Sequence, residues 1–194
     1  MKNICVFCSS SDVVADIFKQ EAKNLGNLLL NESISLIYGG AKVGMMGILA
    51  KTIIEGKGHV IGVIPELIHQ HRLAEEAVSE LIITEDMKSR KAKMAELSDA
   101  FIALPGGFGT LEELVEVITL KQLGYHQKPI VIINTSGFYD KLVALFEMYY
   151  DTKFAKGEYR QLYYFADNPE DAINYLKNYN HQELLVNKWY ETKF

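Results

Sequence analysis

Hydrophobic residues along this chain follow two alternating patterns. Short, nearly unbroken apolar runs are separated by longer stretches in which apolar positions return every three or four residues. The runs Ile4–Cys8, Ser35–Tyr38, His59–Ile64, Glu80–Thr84, Ala100–Leu104, Ile130–Ile133 and Leu162–Phe165 predict strands. Several are consecutively apolar rather than alternating, as expected of parallel strands covered on both faces. The stretches Asp12–Leu30, Gly44–Gly56, Lys88–Leu97, Leu111–Leu123, Tyr139–Tyr150 and Pro169–Asn178 predict helices. Helices between successive strands imply right-handed crossovers. The expected fold is α/β: a Rossmann-like, doubly wound and mostly parallel sheet of about seven strands with helices on both faces. No linker, repeat or low-complexity segment interrupts the pattern, so residues 1–194 read as one nucleotide-binding domain. Residues 180–194, with Leu184, Leu185, Val186, Trp189 and Tyr190, read as a docking or interface tail.

Ligands of such sheets gather at the carboxyl ends of the strands. Three strand ends carry suggestive loops: Ser9-Ser10-Ser11, the glycine-rich Gly39–Gly47, and Pro105-Gly106-Gly107-Phe108-Gly109-Thr110. Glycines between a buried strand and a helix let the backbone approach a ligand, and the unpaired N–H groups of a helix start favour an anion such as phosphate. Neither glycine-rich junction has the Walker spacing or the Gly-x-Gly-x-x-Gly dinucleotide spacing, so a nucleoside monophosphate fits better than ATP or NAD. Glu112 and Glu113 follow directly. Thr110-Leu111-Glu112-Glu113 also fits a capping box, with Thr110 as N-cap and Glu113 reaching back from the third helical position. The capping and chemical readings both stay open at this point.

The cluster Lys88-Ser89-Arg90-Lys91-Ala92-Lys93 opens a helix, where the dipole disfavours cations. Most of such a cluster is solvated face. The local conflict nevertheless points to a task for one member, and Arg90 suits two-pronged binding of a carboxylate or phosphate.

Composition narrows the partners. The net charge of −5 and the lack of a basic stripe argue against nucleic acid as the main partner. No run approaches the roughly 20 apolar residues of a membrane helix. The N-terminal apolar run is too short for a signal peptide, and two cysteines without an export signal point to a reducing cytoplasm. Cys5-Val6-Phe7-Cys8 has redox spacing but lies in an apolar strand, which favours two core cysteines. His69-Gln70-His71 lacks a nearby acid or cysteine to complete a metal site. No metal and no cofactor are expected.

At these residues the chain resembles the LOG (Lonely Guy) family of cytokinin riboside 5′-monophosphate phosphoribohydrolases. The signature Pro-Gly-Gly-x-Gly-Thr-x-x-Glu stands here as Pro105 through Glu113. The likeness extends over Cys5–Ser10, Tyr38–Gly40 with Gly44–Gly47, His59–Pro65, Met87 with Arg90-Lys91, Ser98–Leu104, Gln122–Gly124 and Lys128-Pro129. The resemblance implies cleavage of the N-glycosidic bond of a nucleoside 5′-monophosphate, a cytokinin riboside 5′-monophosphate or AMP, to free base and ribose 5-phosphate. It implies Arg90 and Glu113 as the catalytic pair. Lys91, Gly107, Phe108, Gly109, Thr110, Leu111, Glu112 and Thr119 would bind substrate, and Ser10, Gly39, Gly40 and Gly44 would line the nucleotide pocket. It also implies a homodimer with pockets near the subunit interface. Three positions depart from plant-like members: Arg72 in place of an acid, Leu120 in place of tryptophan and Phe108 in place of tyrosine, which leaves base preference open. Many members carry an older lysine decarboxylase label. That chemistry needs a pyridoxal phosphate lysine with supporting residues, and no such constellation stands in the sequence. The rival readings are a nucleotide or cofactor carrier without turnover, and a DNA-processing module.

Overall fold

The structure, a computed structural model, describes residues 1–180, so the predicted tail from residue 181 onward lies outside the described residues. The elements run β1 (Asn3–Phe7), α1 (Asp16–Asn31), β2 (Ser35–Tyr38), α2 (Gly44–Glu55), β3 (Val60–Pro65), α3 (Glu66–Gln70), β4 (Glu80–Thr84), α4 (Met87–Leu97), β5 (Ala100–Ala103), α5 (Phe108–Gln122), β6 (Ile130–Ile133), α6 (Asp140–Asp151), β7 (Tyr164–Ala166) and α7 (Pro169–Lys177). The seven strands form one sheet in the order β4-β3-β2-β1-β5-β6-β7, and every neighbouring pair is parallel.

The consecutive apolar runs are explained by two cores. Side chains alternate across a strand. Ile4, Val6 and Cys8 therefore pack on one face with α1, α2 and α7, through Leu25, Leu29, Leu49, Ile53 and Ile173. Cys5 and Phe7 pack on the other face with Met94 of α4 and with Leu114 and Val117 of α5. β5 divides the same way, Ala100 and Ile102 to the first core and Phe101 and Ala103 to the second. Cys5 and Cys8 thus belong to opposite cores, and both are buried free thiols whose pKa is raised by burial. The reading as two core cysteines holds, although Cys8 lies just past the end of β1, and their positions in opposite cores exclude a disulfide between them.

The start of α1 differs from the sequence reading for a tertiary reason. Helix α1 starts at Asp16 rather than Asp12, because the Asp12 carboxylate accepts a hydrogen bond from the Gly44 N–H (2.8 Å) at the start of α2. The five-residue α3 was not predicted, being too short to show a period.

Candidate active site

Strand order reverses between β1 and β5, so chain connections diverge there and leave a crevice at the carboxyl ends of the two strands. The serine loop after β1 and the Pro105–Gly107 loop after β5 flank it.

The two glycine-rich junctions are not equivalent. At α2 the helix-start amides are already used: Gly44 N–H bonds Asp12, and the N–H groups of Met45 and Met46 bond the Ser9 carbonyl at 3.0 and 3.3 Å. Gly44 has φ +60, and a side chain there would strike the Ser10 backbone, so Ser10 and Gly44 lock one loop onto the other. At α5 no side chain caps the start. Gly107 is the N-cap in extended conformation, Leu111 N–H bonds its carbonyl at 3.0 Å, and the amides ahead of Leu111 are left for a ligand.

This corrects the capping-box reading. Thr110 is not the N-cap but a buried residue inside the first turn, and Glu113 is too far along to reach back. The helix extends back to Phe108, with Gly107 in the extended conformation usual at an N-cap.

Glu113 instead turns inward, 8 % exposed, to Arg90, 7 % exposed. Arg90 Nη1 donates to Glu113 Oε1 at 2.6 Å, and Arg90 Nε donates to the Val63 carbonyl at 3.1 Å. Only one Glu113 oxygen is engaged in this contact. Helix α4 is started not by the basic cluster but by Asp86, which forms a capping box with Ser89. That box sets the turn that drives Arg90 under α5 while Lys88 stays exposed. Burial raises the Glu113 pKa above the ordinary glutamate range, and the Arg90 charge and hydrogen bond offset this only in part.

Lys91, next to Arg90, pairs with Glu112 and lies 3.0 Å from Glu116. Burial pulls its pKa down, but the hydrogen bonds and charges of the two glutamates outweigh burial and raise it.

Gly39 is buried where a Cβ would meet Arg90 Nη2, so its role is to admit the guanidinium. Gly40, buried beside it at φ +75, carries the turn. Gly39→Ala is expected to cost about 1–3 kcal/mol by forcing Arg90 from its seat. A urea unfolding midpoint equal to that of the wild type would show that the guanidinium retreats without loss.

The remaining candidates are dispersed. Gly107, Phe108 and Gly109 are exposed at the helix mouth, and Phe108 is 92 % exposed. Leu111 faces away from Glu113, into an apolar hollow of about 290 Å³ that it shares with Phe108, Phe138, Tyr139 and Leu142. The last three gave no sequence signal, because only the packing of α6 beside α5 brings them there. Tyr139 holds the glycine loop by donating its hydroxyl to the Leu104 carbonyl at 2.8 Å. Thr119 is exposed and donates to the Val115 carbonyl. It lies about 9 Å further along α5 than Glu113 and is turned roughly 120° from it, so one chain does not bring it to the Arg90–Glu113 pair.

The arrangement defines a doubly wound α/β protein with an anion-ready crevice beside a buried guanidinium–carboxylate pair. A family model described as "Possible lysine decarboxylase" matches residues 46–176. A probable cytokinin riboside 5′-monophosphate phosphoribohydrolase of Oryza sativa subsp. japonica, LOGL1, is 43% identical over 183 residues, covering 93% of this chain and 82% of the relative. The Arabidopsis thaliana cytokinin riboside 5′-monophosphate phosphoribohydrolase LOG1 is 40% identical over 192 residues, 98% of this chain and 90% of the relative. The chain belongs to the LOG family. Its fold is shared more widely. The molybdenum cofactor carrier protein of Chlamydomonas reinhardtii matches with TM-score 0.67 at 22% identity, covering 91% of this chain and 96% of that one. DNA processing protein A of Helicobacter pylori matches with TM-score 0.60 at 16% identity, covering 92% and 82%. At these identities the likeness concerns the fold alone.

Proposed function

We propose that this protein is a hydrolase of N-glycosyl bonds that cleaves a nucleoside 5′-monophosphate, a cytokinin riboside 5′-monophosphate or AMP, into free base and ribose 5-phosphate. The observation that carries the reading is the buried Arg90–Glu113 pair, set behind a helix start whose amides are open. The phosphate sits on the amides from Gly107 to Thr110 and anchors the ribose, so remote binding energy serves to position the anomeric carbon. As the bond to the base lengthens, positive charge develops on the ribose ring. The Glu113 carboxylate stabilises that charge and accepts a proton from the attacking water, whose oxygen bonds the anomeric carbon. The base leaves with the bonding electron pair and takes up a proton. Arg90 fixes one carboxylate oxygen. Lys91, Phe108, Gly109 and Glu112 border the phosphate and sugar, Leu111 lines the apolar hollow beside them, and Ser10, Gly39, Gly40 and Gly44 shape the wall. The 40–43% identity to phosphoribohydrolases over nearly the whole chain supports the same reading.

A decarboxylase reading fits the residues poorly. A Schiff-base lysine needs a lowered pKa and a free amine. Lys91 is clamped between glutamates that raise its pKa. Lys121 is lowered to about 8 by burial, but it donates to the Leu162 carbonyl (2.9 Å) and the Tyr179 hydroxyl. It lies near the far end of α5 from the crevice.

The protein acts as a homodimer in this reading. The outer flank of α5 exposes Val115 and Thr119, with Phe108 at its tip, and a second copy on this flank would bring Thr119 to a partner's crevice. The reading also places it in the cytoplasm, where its two free cysteines would stay reduced. Among the described residues no helix is long and apolar enough to cross a membrane.

The test is ribose 5-phosphate release from AMP and from isopentenyladenosine monophosphate, with the two nucleosides as controls. Release that requires the 5′-phosphate supports the reading. Tight nucleotide binding without release favours a carrier. Activity is expected to fall in acid with a midpoint above the ordinary glutamate range. The carboxylate is the working form, and burial raises the pH needed to populate it. A pH profile flat down to that range would remove Glu113 from the mechanism.

A further inference from the structure

We propose that Glu116, acting through Lys91, is a positioning residue that locks α4 to α5 and thereby sets the contact and proton affinity of the Arg90–Glu113 pair. The proposal rests on the hydrolase reading above.

Arg90 and Lys91 are neighbours on α4 and point about 100° apart. They grip α5 at adjacent points, Arg90 on Glu113 and Lys91 on both Glu112 and Glu116. The Lys91 side chain is only 16 % exposed although its partners are 56 % and 39 % exposed, so the ammonium lies in the seam between the helices. Glu112 and Glu116 are four apart on α5, and like charges at that spacing repel unless a cation stands between them. Lys91 supplies that cation.

The Arg90–Glu113 contact needs such a brace, because it is one donor on one oxygen. Val63 and Gly39 hold Arg90 from the sheet side but do not fix where α5 lies. A small slide of α5 would lengthen a 2.6 Å contact, whereas a lysine bridging two carboxylates resists that slide. Glu113 is faced by Arg90 and Lys91 from α4, by Glu112 on its own helix, by the Cys5 thiol of β1 and by the Cys8 thiol just past it. Three carboxylates share two cations. Loss of Lys91 leaves Glu113 among uncompensated anions and raises its proton affinity. Loss of Glu116 releases α5, loosens the Arg90–Glu113 contact that holds the Glu113 pKa down, and raises its proton affinity as well. An upward shift on removing the negative charge of Glu116 is a signature of lost positioning, since removal of a nearby anion by itself would shift Glu113 downward.

The experiment is the pH dependence of kcat and kcat/KM for ribose 5-phosphate release from AMP or isopentenyladenosine monophosphate, whichever is turned over. It compares wild type, Lys91→Met, Lys91→Arg and Glu116→Gln, with Glu113→Gln as control. Glu116→Gln is expected to lower kcat about 3- to 10-fold, with KM within about twofold, and to move the acid limb up by roughly half a pH unit. Lys91→Met is expected to move it up by a similar amount, and Lys91→Arg to leave it in place. Glu116 is partly exposed, so its variant folds even if Lys91→Met does not. A Glu116→Gln enzyme with wild-type kcat and acid limb overturns the proposal. So does a Lys91→Met enzyme with raised KM and an unmoved limb, since Lys91 would then serve only to hold substrate. Activity that survives in Glu113→Gln overturns the underlying reading instead, and the two failures are distinct.

Discussion

Glu113→Gln is expected to slow ribose 5-phosphate release by about two to four orders of magnitude while nucleotide binding stays within a few-fold of wild type. The substitution keeps the size of the side chain and an oxygen to accept from Arg90, and removes the charge that opposes the developing cation on the ribose. In the proposed reading the phosphate is held by the backbone amides at the start of α5, which no side chain caps, and not by this carboxylate. Single-turnover rates with bound AMP or isopentenyladenosine monophosphate, set beside equilibrium binding of the same nucleotide, separate the two effects. A variant that binds and turns over like wild type would move the chemistry to another group.

Arg90→Met produces the second large effect, and it appears in stability as well as rate. Methionine fills much of the volume but leaves Glu113 buried without its cation and the Val63 carbonyl without its donor. Breaking a buried pair in this way costs about 3 kcal/mol or more near neutral pH. The cost depends on pH with a definite sign. Burial already raises the Glu113 pKa above its unfolded value, and loss of Arg90 raises it further. The folded state then binds the proton more tightly than the unfolded state, so stability recovers as pH falls through the folded pKa and the penalty is complete above it. Urea unfolding of Arg90→Met at pH 7.5 and at about pH 5.5 should therefore show a smaller deficit at the lower pH. Equal deficits would mean that Glu113 does not carry the cost. Lysine at position 90 should rescue poorly, since one ammonium does not reproduce the fork that reaches both Val63 and Glu113.

The fold alone does not select this chemistry, since a molybdenum cofactor carrier and a DNA processing protein share it. The buried acid beside an open anion cradle is what favours turnover over carriage. A carrier gains nothing from a carboxylate held at raised pKa, and net charge −5 suits a small nucleotide better than a nucleic acid chain.

Much of the architecture was legible in the residues themselves. β2, β4 and β6 lie where their apolar runs place them, and the other strands differ by a residue or two. Strand and helix periodicity is a local property, and burial of both sheet faces forces unbroken apolar runs. The alternation of strands and helices carried the parallel sheet with it, because parallel neighbours need a crossover between them. The signature from Pro105 to Glu113 likewise marked the crevice without any coordinates.

What local pattern did not determine was the fate of individual polar groups. Both glycine-rich junctions looked alike as sequence. Only the fold brings Asp12 and the Ser9 carbonyl onto the amides of α2 and leaves those of α5 open. Thr110-Leu111-Glu112-Glu113 satisfied a capping box on spacing, yet Glu113 found Arg90, a partner from another helix, and Gly107 took the cap. Four cations stood in one short cluster, and the packing of α4 under α5 decided that Arg90 would be buried and Lys91 half-buried while Lys88 faced water. Thr119, in the same helix as Glu113, was turned away from it by the helical pitch. The sequence by itself determined the strands, the longer helices, their order and the glycine-rich loop between β5 and α5, because these follow from backbone and hydrophobic regularities a few residues long. The tertiary structure decided which amides stay free, which cation meets which carboxylate and how tightly that carboxylate holds its proton, because these depend on burial and charge contributed by residues distant along the chain.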